Sequence, residues 1–271
     1  MCARGPALPS LRSCERMPSI LSALPWRRAT TGLLDLLFPP RCPGCGEDVA
    51  QAGHLCGACV SRMHLITDPF CRRCALPFTS RAAAGPDRTC ASCTENPPPW
   101  HEGRAAMVYD DMPRSLILPL KYADATENAG LLGRYMAWAA KDLIRPDSLL
   151  MPVPLHRLRL FGRRYNQALL LARALGRQAR VAVMADGLER TRATRPLEGL
   201  GRPARHDLMR GVIGVRAHRR AAIQGRHVIV VDDVMTTGAT LGACAHALLG
   251  AGAARVDVLA AARACGQYEQ Q

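Results

Sequence analysis

The chain has 271 residues, 48% of them apolar, so it is long and hydrophobic enough for one large core or two smaller ones. This composition excludes global disorder, and the sequence has no apolar run of the roughly 18 residues that a transmembrane helix needs. The net charge is +14, and residues 155–220 alone hold sixteen arginines, no lysine and four acidic residues. Such a block indicates an anionic partner, either a phosphorylated small molecule or a nucleic acid, although a codon bias would also raise the arginine content.

Residues 1–16 do not resemble the start of a folded domain, and we expect residues 1–32 to form a poorly ordered extension. Met17 opens a segment that would suit the true beginning of the protein. The N-terminus carries arginines but no apolar core followed by a small-residue cleavage site, so no secretory signal is predicted. A cytoplasmic location is therefore expected.

Eight of the twelve cysteines form four C-x-x-C pairs. The pairs are Cys42/Cys45, Cys56/Cys59, Cys71/Cys74 and Cys90/Cys93. The intervals between successive pairs are 10, 11 and 15 residues. Two such pairs are typical of a zinc ribbon, because each pair brings two thiolates to one ion and a second pair completes the tetrahedron. We predict two structural Zn²⁺ sites with no open coordination position.

The spacing leaves the assignment of cysteines to ions open. In a sequential arrangement, the first two pairs would bind one ion and the last two the other, whereas a cross-braced arrangement would use the same residues. A disulfide scaffold is the alternative, but paired cysteines confined to one segment of a cytoplasmic chain favour metal. The segment NPPPW (96–100) predicts a stiff linker, so we place a domain boundary after residue 99.

From residue 101 onward, short apolar runs alternate with amphipathic segments. Strands are predicted at 105–110, 148–155, 228–231 and 255–263. Helices are predicted within 113–144 and at 165–180 and 239–253. This alternation predicts an α/β domain with a parallel sheet and right-handed crossovers. We expect Trp100, Tyr109 and Trp138 to lie in its core.

The segment VIVVDDVMTTGAT (228–240) carries the strongest functional pattern. Four β-branched residues predict a strand buried on both faces, and two carboxylates, Asp232 and Asp233, stand at its carboxyl end, where open α/β sheets bind ligands. Gly238 permits a tight turn, and the helix that follows offers unpaired amides and a positive dipole end to an anion. The two carboxylates suit ribose hydroxyls or a divalent cation. The pattern therefore predicts a site for a sugar phosphate.

These residues resemble the motif with which type I phosphoribosyltransferases bind 5-phosphoribosyl 1-pyrophosphate (PRPP). The resemblance implies that the acidic pair, Asp232 and Asp233, contacts the ribose and serves catalysis. It implies that residues 236–240 hold the 5′-phosphate. The whole PRPP-binding segment comprises Val234, Met235, Thr236, Thr237, Gly238, Ala239 and Thr240. Mg²⁺ would accompany the PRPP.

The whole chain resembles the ComF family, in which an N-terminal zinc ribbon precedes a phosphoribosyltransferase domain. This resemblance covers residues 33–265 and rests also on LLDLLFPPRCPGCG (33–46), LKYAD (120–124) and PVPLHRLRLFGRRYNQALLLA (152–172). It implies a second loop, near pyrophosphate, that contains Pro154, Leu155, Arg163, Arg164, Asn166 and Gln167. It implies a mobile loop with Arg192, Thr194 and Arg205. Asn166 and Gln167 would also suit the start of a helix, which Asn caps well.

The expected architecture is a double zinc ribbon at 33–99 followed by a parallel-sheet type I phosphoribosyltransferase fold at 100–271. One functional hypothesis is an enzyme that transfers ribose 5-phosphate from PRPP to a nitrogenous acceptor, which would link the protein to nucleotide metabolism. The alternative, which the resemblance also implies, is a competence factor without catalytic activity that binds single-stranded DNA and proteins of the DNA-uptake machinery. A PRPP-sensing scaffold whose ribbons dock a protein partner is a third hypothesis.

Overall fold

The structure is a computed structural model, and it describes residues 39–122, 125–155, 165–191 and 211–265. The chain divides into the units Met1–Pro39 and Pro40–Gln271, and all described residues except Pro39 belong to the second. Within the described residues, no helix combines the length and the apolar character that crossing a membrane requires.

Seven strands occur in the described residues. They are β1 (Gly103–Val108), β2 (Leu149–Pro152), β3 (Ala182–Val183), β4 (Leu188–Arg190), β5 (Ile213–Val215), β6 (His227–Met235) and β7 (Arg255–Arg263). Five of them form a parallel sheet in the order β1–β7–β6–β2–β3, and β4 pairs with β5 in a separate antiparallel ribbon. The predicted parallel α/β fold is therefore confirmed.

Helices connect the parallel strands. They are α1 (Gly57–Ser61), α2 (Arg81–Ala84), α3 (Ala91–Glu95), α4 (Asp111–Tyr122), α5 (Asn128–Ala139), α6 (Gln167–Ala179), α7 (Arg220–Ile223) and α8 (Ala239–Gly250). The first three belong to the cysteine-rich segment. Helices α4 and α5 connect β1 to β2, α6 connects β2 to β3, and α8 connects β6 to β7.

The central strand β6 is buried on both faces, as its β-branched residues predict. Val228 and Val230 belong to one hydrophobic cluster, which includes residues of α8 and the four cysteines from 71 to 93. Ile229 and Val231 belong to the other cluster, which includes residues of α4, α5 and α6. Because successive side chains of a strand point to opposite faces, the two clusters are the two sides of the sheet.

The cysteine-rich segment covers the outer edge of β1. The amide of Ile66 donates to the carbonyl of Ala106 over 3.0 Å, and the amide of Val108 donates to the carbonyl of His64 over 2.9 Å. At Gly103, the chain comes so close that a Cβ atom would overlap the carbonyl oxygen of Arg73. An uncovered edge strand would expose unpaired backbone groups, so this segment completes the sheet as well as carrying the cysteines.

The expectation for the aromatic residues is partly wrong. Trp100 is 4% exposed and lies in the core, but Trp138 is 45% exposed. Trp138 lines an open apolar groove of about 360 Å³ together with Leu131 and Tyr135, which lie two turns and one turn earlier on α5. Helical spacing gives the apolar face of a helix, but it does not tell how far the neighbouring elements cover that face.

Candidate functional site

The turn between β6 and α8 forms the centre of the candidate site. Strand β6 ends at Met235, and α8 begins at Ala239 with Gly238 as its N-cap. Gly238 has φ +77°, a left-handed conformation that glycine adopts without the strain of a side chain. A Cβ atom at Gly238 would also lie 2.7 Å from Cη2 of Trp100, so both the backbone conformation and the packing require glycine here.

A small cavity of about 30 Å³ opens at this turn. It is lined by Asp232, Val234, Met235, Thr236, Thr237, Gly238, Ala239, Thr240 and Leu241. The first amides of a helix have no acceptor within the helix, and the helix dipole is positive at this end. A cavity of this size holds about two water-sized groups, so it suits the oxygens of a phosphoryl group while the rest of a ligand lies outside.

The two aspartates of β6 differ in their surroundings. Asp232 lines the cavity, and its Oδ1 accepts a hydrogen bond from the amide of Asp233 over 2.9 Å. Asp233 is 6% exposed, and its Oδ1 accepts from the amide of Val234 over 2.8 Å. Because they are consecutive in a strand, their side chains point to opposite faces. The sequence predicted one shared role for both, whereas the structure places Asp232 alone among the cavity-lining residues.

The predicted second loop follows β2. Asn166 caps α6: its side chain accepts from the amide of Ala168 over 3.0 Å, and its Nδ2 donates to the carbonyl of Val153 over 3.0 Å. Gln167 is 7% exposed, and its Oε1 has no hydrogen-bond partner among the described residues. The capping interpretation of Asn166 is thus confirmed, and a role in ligand binding stays a prediction for both residues.

Several predicted site residues lie outside the described residues. These are Arg163 and Arg164 of the second loop and Arg192, Thr194 and Arg205 of the mobile loop. Pro154 and Leu155, at the start of the second loop, are described, with Pro154 buried. Arg190, which the sequence analysis did not select, donates from Nε to the carbonyl of Pro154 over 3.0 Å. It therefore connects the β4–β5 ribbon to the second loop, a contact that requires the folded chain.

The eight paired cysteines form two clusters in sequential order, which resolves the open question of their assignment. One is Cys42, Cys45, Cys56 and Cys59, and the other is Cys71, Cys74, Cys90 and Cys93, with all Sγ atoms of each cluster within 4.8 Å of one another. We name them ribbon site 1 and ribbon site 2. The Sγ atoms of Cys45 and Cys56 lie 3.5 Å apart, and those of Cys74 and Cys90 lie 3.7 Å apart. Two sulphurs bound tetrahedrally at 2.3 Å from Zn²⁺ would be separated by about 3.8 Å, so both sites fit zinc.

The electrostatics of the clusters also suit a cation. Burial raises the pKa of Cys42, but hydrogen bonds from the amides of Cys56, Gly44 and Cys45 outweigh burial and lower that pKa to about 6. Hydrogen bonds from Cys74, Cys90 and Cys93 likewise lower the pKa of Cys71. By contrast, burial and the neighbouring thiols raise the pKa of Cys59 to about 12. A thiolate is the form that binds metal, and Zn²⁺ would relieve the mutual repulsion of the remaining thiolates.

A second polar constellation lies at the opposite end of the sheet. His227 bonds to Asp257 through Nε2 over 2.7 Å and to Ser148 through Nδ1 over 2.9 Å. This arrangement superficially resembles a hydrolytic triad, but all three residues are at most 6% exposed. A buried serine offers no nucleophile to a substrate, so the network fixes the amino ends of β6 and β7 rather than performing chemistry.

Comparisons with known proteins agree with these two regions. The family description "Double zinc ribbon domain" matches residues 33–94, and "Phosphoribosyl transferase domain" matches residues 168–270. The purine phosphoribosyltransferase of Pyrococcus horikoshii is a similar solved structure, at 19% identity and a TM-score of 0.29, with 49% of this chain and 71% of that chain covered. The two family descriptions together identify a double zinc ribbon followed by a phosphoribosyltransferase-like domain.

Relatives that align with most of the chain identify its family. DNA utilization protein YhgH of Escherichia coli K12 is 32% identical over 232 residues, which cover 82% of this chain and 96% of the relative. Competence protein F of Haemophilus influenzae is 27% identical, with 84% and 98% covered, and competence protein ComFC of Bacillus subtilis is 26% identical, with 74% and 80% covered. The chain belongs to the ComF family.

Proposed function

We propose that the turn between β6 and α8 binds the 5′-phosphate of PRPP. The observation that supports this proposal is the cavity at the amino end of α8, which joins helix amides, three threonines and the carboxylate of Asp232 in one lining. Helix amides bind phosphoryl oxygens, and threonine hydroxyls donate further hydrogen bonds. Ribose hydroxyls donate hydrogen bonds that the carboxylate of Asp232 can accept. A ligand with a ribose and a phosphate therefore suits both the carboxylate and the helix amides of the site.

Asp232 is the residue that would meet the ribose or its cation. Carboxylate oxygens are preferred ligands of Mg²⁺, which usually keeps several waters and bridges to substrate phosphates, so the donor chemistry fits. When bound, Mg²⁺ would neutralise charge on the pyrophosphate group of PRPP. The carboxylate of Asp233 accepts a hydrogen bond from the amide of Val234 and so stabilises the backbone that leads into the turn.

A transfer reaction would use the second loop as well. In that reaction, the bond between the ribose C1′ and the pyrophosphate oxygen breaks and its electron pair leaves with pyrophosphate. The acceptor nitrogen forms a bond to C1′ and gives up its proton to the departing pyrophosphate or to water. The segment after Pro154, with Arg163 and Arg164, would neutralise the leaving group, and Arg192, Thr194 and Arg205 would close over the site. If the site binds PRPP and transfers nothing, the protein instead acts as a PRPP-sensing component.

The biological setting that we propose is the handling of DNA in the cytoplasm. Relatives of this chain carry the names competence protein and DNA utilization protein. The sixteen arginines between residues 155 and 220 favour a second function, the binding of single-stranded DNA, because lysines and arginines neutralise backbone phosphates. Proteins of the competence machinery would be further partners.

Titration calorimetry with PRPP and Mg²⁺ tests the first proposal. We expect Asp232→Asn to weaken binding about tenfold or more, since it removes a charged hydrogen-bond acceptor. Asp48→Asn is the matched control, because the Asp48 side chain is 68% exposed and lies between the two cysteine pairs of ribbon site 1. If the unmodified protein binds neither PRPP nor ribose 5-phosphate, or if the two variants bind equally, the proposal is wrong.

Binding of single-stranded DNA at several salt concentrations tests the second function. We expect the affinity to fall steeply with salt, to persist in Asp232→Asn and to weaken when Arg163 and Arg164 are both replaced by Ala. Release of pyrophosphate with candidate bases distinguishes transfer from sensing. Affinity for DNA that does not change with salt would contradict the proposed role of the arginines.

A further inference from the structure

The side chain of Arg263 connects ribbon site 2 to the turn that follows β6. Arg263 is the last residue of β7, it pairs in register with Met235, and it is 6% exposed. Its Nε donates to the carbonyl of Cys74 over 3.0 Å, and its Nη1 donates to the carbonyl of Thr236 over 2.9 Å and to that of Met235 over 3.3 Å. One guanidinium thus contacts a ribbon cysteine and two residues that line the cavity.

These contacts fix the direction of the backbone in the turn. In a planar trans peptide, the carbonyl and the amide of one unit point in opposite directions. The carbonyls of Met235 and Thr236 point to Arg263, so the amides of Thr236 and Thr237 point away from it. A guanidinium suits this task because its donors form a rigid planar fork and its charge persists when buried.

Trp100 makes a second connection between the same two regions. Its indole Nε1 donates to the carbonyl of Arg73 over 2.7 Å, and Arg73 lies between Cys71 and Cys74 in ribbon site 2. Arg73 in turn donates from Nη1 to the carbonyl of Trp100 over 2.8 Å. The ring of Trp100 packs against Gly238, the N-cap of α8. The indole therefore limits where the first turn of α8 can lie.

Ribbon site 1 has different neighbours. A Cβ atom at Gly44 would lie 2.5 Å from Cε of Met112 on α4, and Arg134 of α5 donates to the carbonyl of Gly53. Cys42 and Cys59 belong to the hydrophobic cluster on the face of the sheet that holds α4, α5 and α6, whereas ribbon site 2 belongs to the cluster with α8. Ribbon site 1 therefore packs on the side of the sheet with α4, α5 and α6, and ribbon site 2 packs on the side with α8.

We propose that Arg263 and Trp100 are positioning residues through which ribbon site 2 sets the geometry of the phosphate-binding turn. This inference rests on the proposed function, since it assigns a purpose to the same turn. The ribbon then contributes to ligand binding without touching the ligand. Loss of order at ribbon site 2 would release the carbonyl of Thr236 and misdirect the amide of Thr237, whereas the carbonyl of Met235 also accepts from the amide of Ala264 over 2.9 Å.

Hydrogen exchange of the amide of Gly242, which donates to the carbonyl of Gly238 in the turn over 2.7 Å, is the test that does not depend on a ligand. Arg263→Lys keeps the charge but loses the planar fork, and Arg255→Lys is the matched control at the other end of β7, where Arg255 contacts Asp257 over 2.7 Å. We expect exchange of the Gly242 amide to accelerate about tenfold or more in Arg263→Lys and to remain unchanged in Arg255→Lys. Equal exchange in the two variants would overturn the proposal.

A second pair of variants tests the same proposal if Arg263→Lys does not fold. Trp100→Phe removes the indole donor to Arg73 and the distal ring that packs against Gly238, and Trp138→Phe is its control at an exposed position. We expect faster hydrogen exchange of the Gly242 amide and weaker PRPP binding in Trp100→Phe, and neither change in Trp138→Phe. If the unmodified protein binds no PRPP, the proposed function fails, while the exchange comparison still decides whether ribbon site 2 positions the turn. Unchanged exchange in Trp100→Phe would contradict that positioning.

Discussion

Ribbon site 1 and ribbon site 2 share a local structure but differ in their surroundings. In both, the amide of the first cysteine donates to a carbonyl five residues later over 2.7 Å, as Cys42 does to Glu47 and Cys71 does to Leu76. In both, a later cysteine amide donates to the first sulphur over 3.3 Å. Yet all four cysteines of ribbon site 2 are buried, whereas Cys45 is exposed and Cys56 is half-buried. The same metal chemistry thus serves a peripheral element in one place and a core element in the other.

Substitution of one cysteine in each ribbon site should give the largest difference in the free energy of unfolding. We expect Cys74→Ser to lower the free energy of unfolding by more than about 4 kcal/mol, because it removes a metal ligand inside the core that supports α8. Cys45→Ser should cost clearly less, since an exposed ribbon can open locally while the sheet stays folded. Denaturant unfolding with zinc quantification measures both. Equal losses would contradict the distinction between the ribbons.

Substitution of two glycines tests how tightly each ribbon is joined to the rest. Gly103→Ala should cost about 2–3 kcal/mol, because the added methyl group would overlap the carbonyl of Arg73 in ribbon site 2. Gly57→Ala is the control in ribbon site 1, where an added Cβ meets nothing within 4 Å. It should be neutral or slightly stabilising, since Gly57 begins α1. Thermal unfolding of both variants measures the difference, and a neutral Gly103→Ala would show that the ribbon is loosely attached.

Acid should weaken the ion pairs next to ribbon site 2. Burial raises the pKa of Glu102, but the charge and hydrogen bond of Arg104 outweigh burial and lower that pKa below its usual value. Burial also raises the pKa of Asp257, but hydrogen bonds from His227 and Arg255 outweigh it and lower that pKa as well. A lowered folded-state pKa gives stability that is fully present above the unfolded values of about 4.3 and 3.9 and is lost as the pH falls through the folded pKa.

The measurement is denaturant unfolding between pH 7 and pH 2.5, compared with Asp257→Asn. We expect the unmodified protein to lose stability mainly below about pH 4 and the variant to lose less over that range. The variant should already be less stable at pH 7 by about 1–3 kcal/mol, because it weakens hydrogen bonds to buried partners. Parallel pH profiles for the two proteins would contradict this role of Asp257.

The smallest effect is expected at the exposed ion pair of ribbon site 1. Arg41 and Asp48 approach to 4.0 Å, with side chains 74% and 68% exposed. Asp48→Ala should change the free energy of unfolding by less than about 0.5 kcal/mol, because solvent screens such pairs. A larger loss in denaturant unfolding would show that ribbon site 1 is more closely coupled to the fold than its exposure indicates.

The sequence alone predicted the elements that local patterns determine. Strand 228–231 was found at 227–235, strand 255–263 at its own bounds, and helix 239–253 at 239–250. These succeed because β-branched runs, glycine and helical spacing are local signals. The β4–β5 ribbon was missed, since each strand has three residues and its partner lies more than twenty positions away.

For the site, the sequence predicted the turn but not its supports. Asp232 and residues 234–240 of the motif line one cavity together with Leu241, and ligand binding there stays a prediction. The contact between Arg263 and Cys74 spans 189 positions, and the one between Trp100 and Arg73 joins residues on either side of a predicted domain boundary. Nothing in local spacing marks a buried arginine as a bridge, because its partners are backbone carbonyls that every residue has.

A crystal structure with PRPP and Mg²⁺ bound tests the central claim most directly. We expect the 5′-phosphate within about 3 Å of the first amides of α8 and the hydroxyls of the turn, with the ribose or its cation next to Asp232. A phosphate bound at another surface of the protein, with the turn after Met235 empty, would contradict the account.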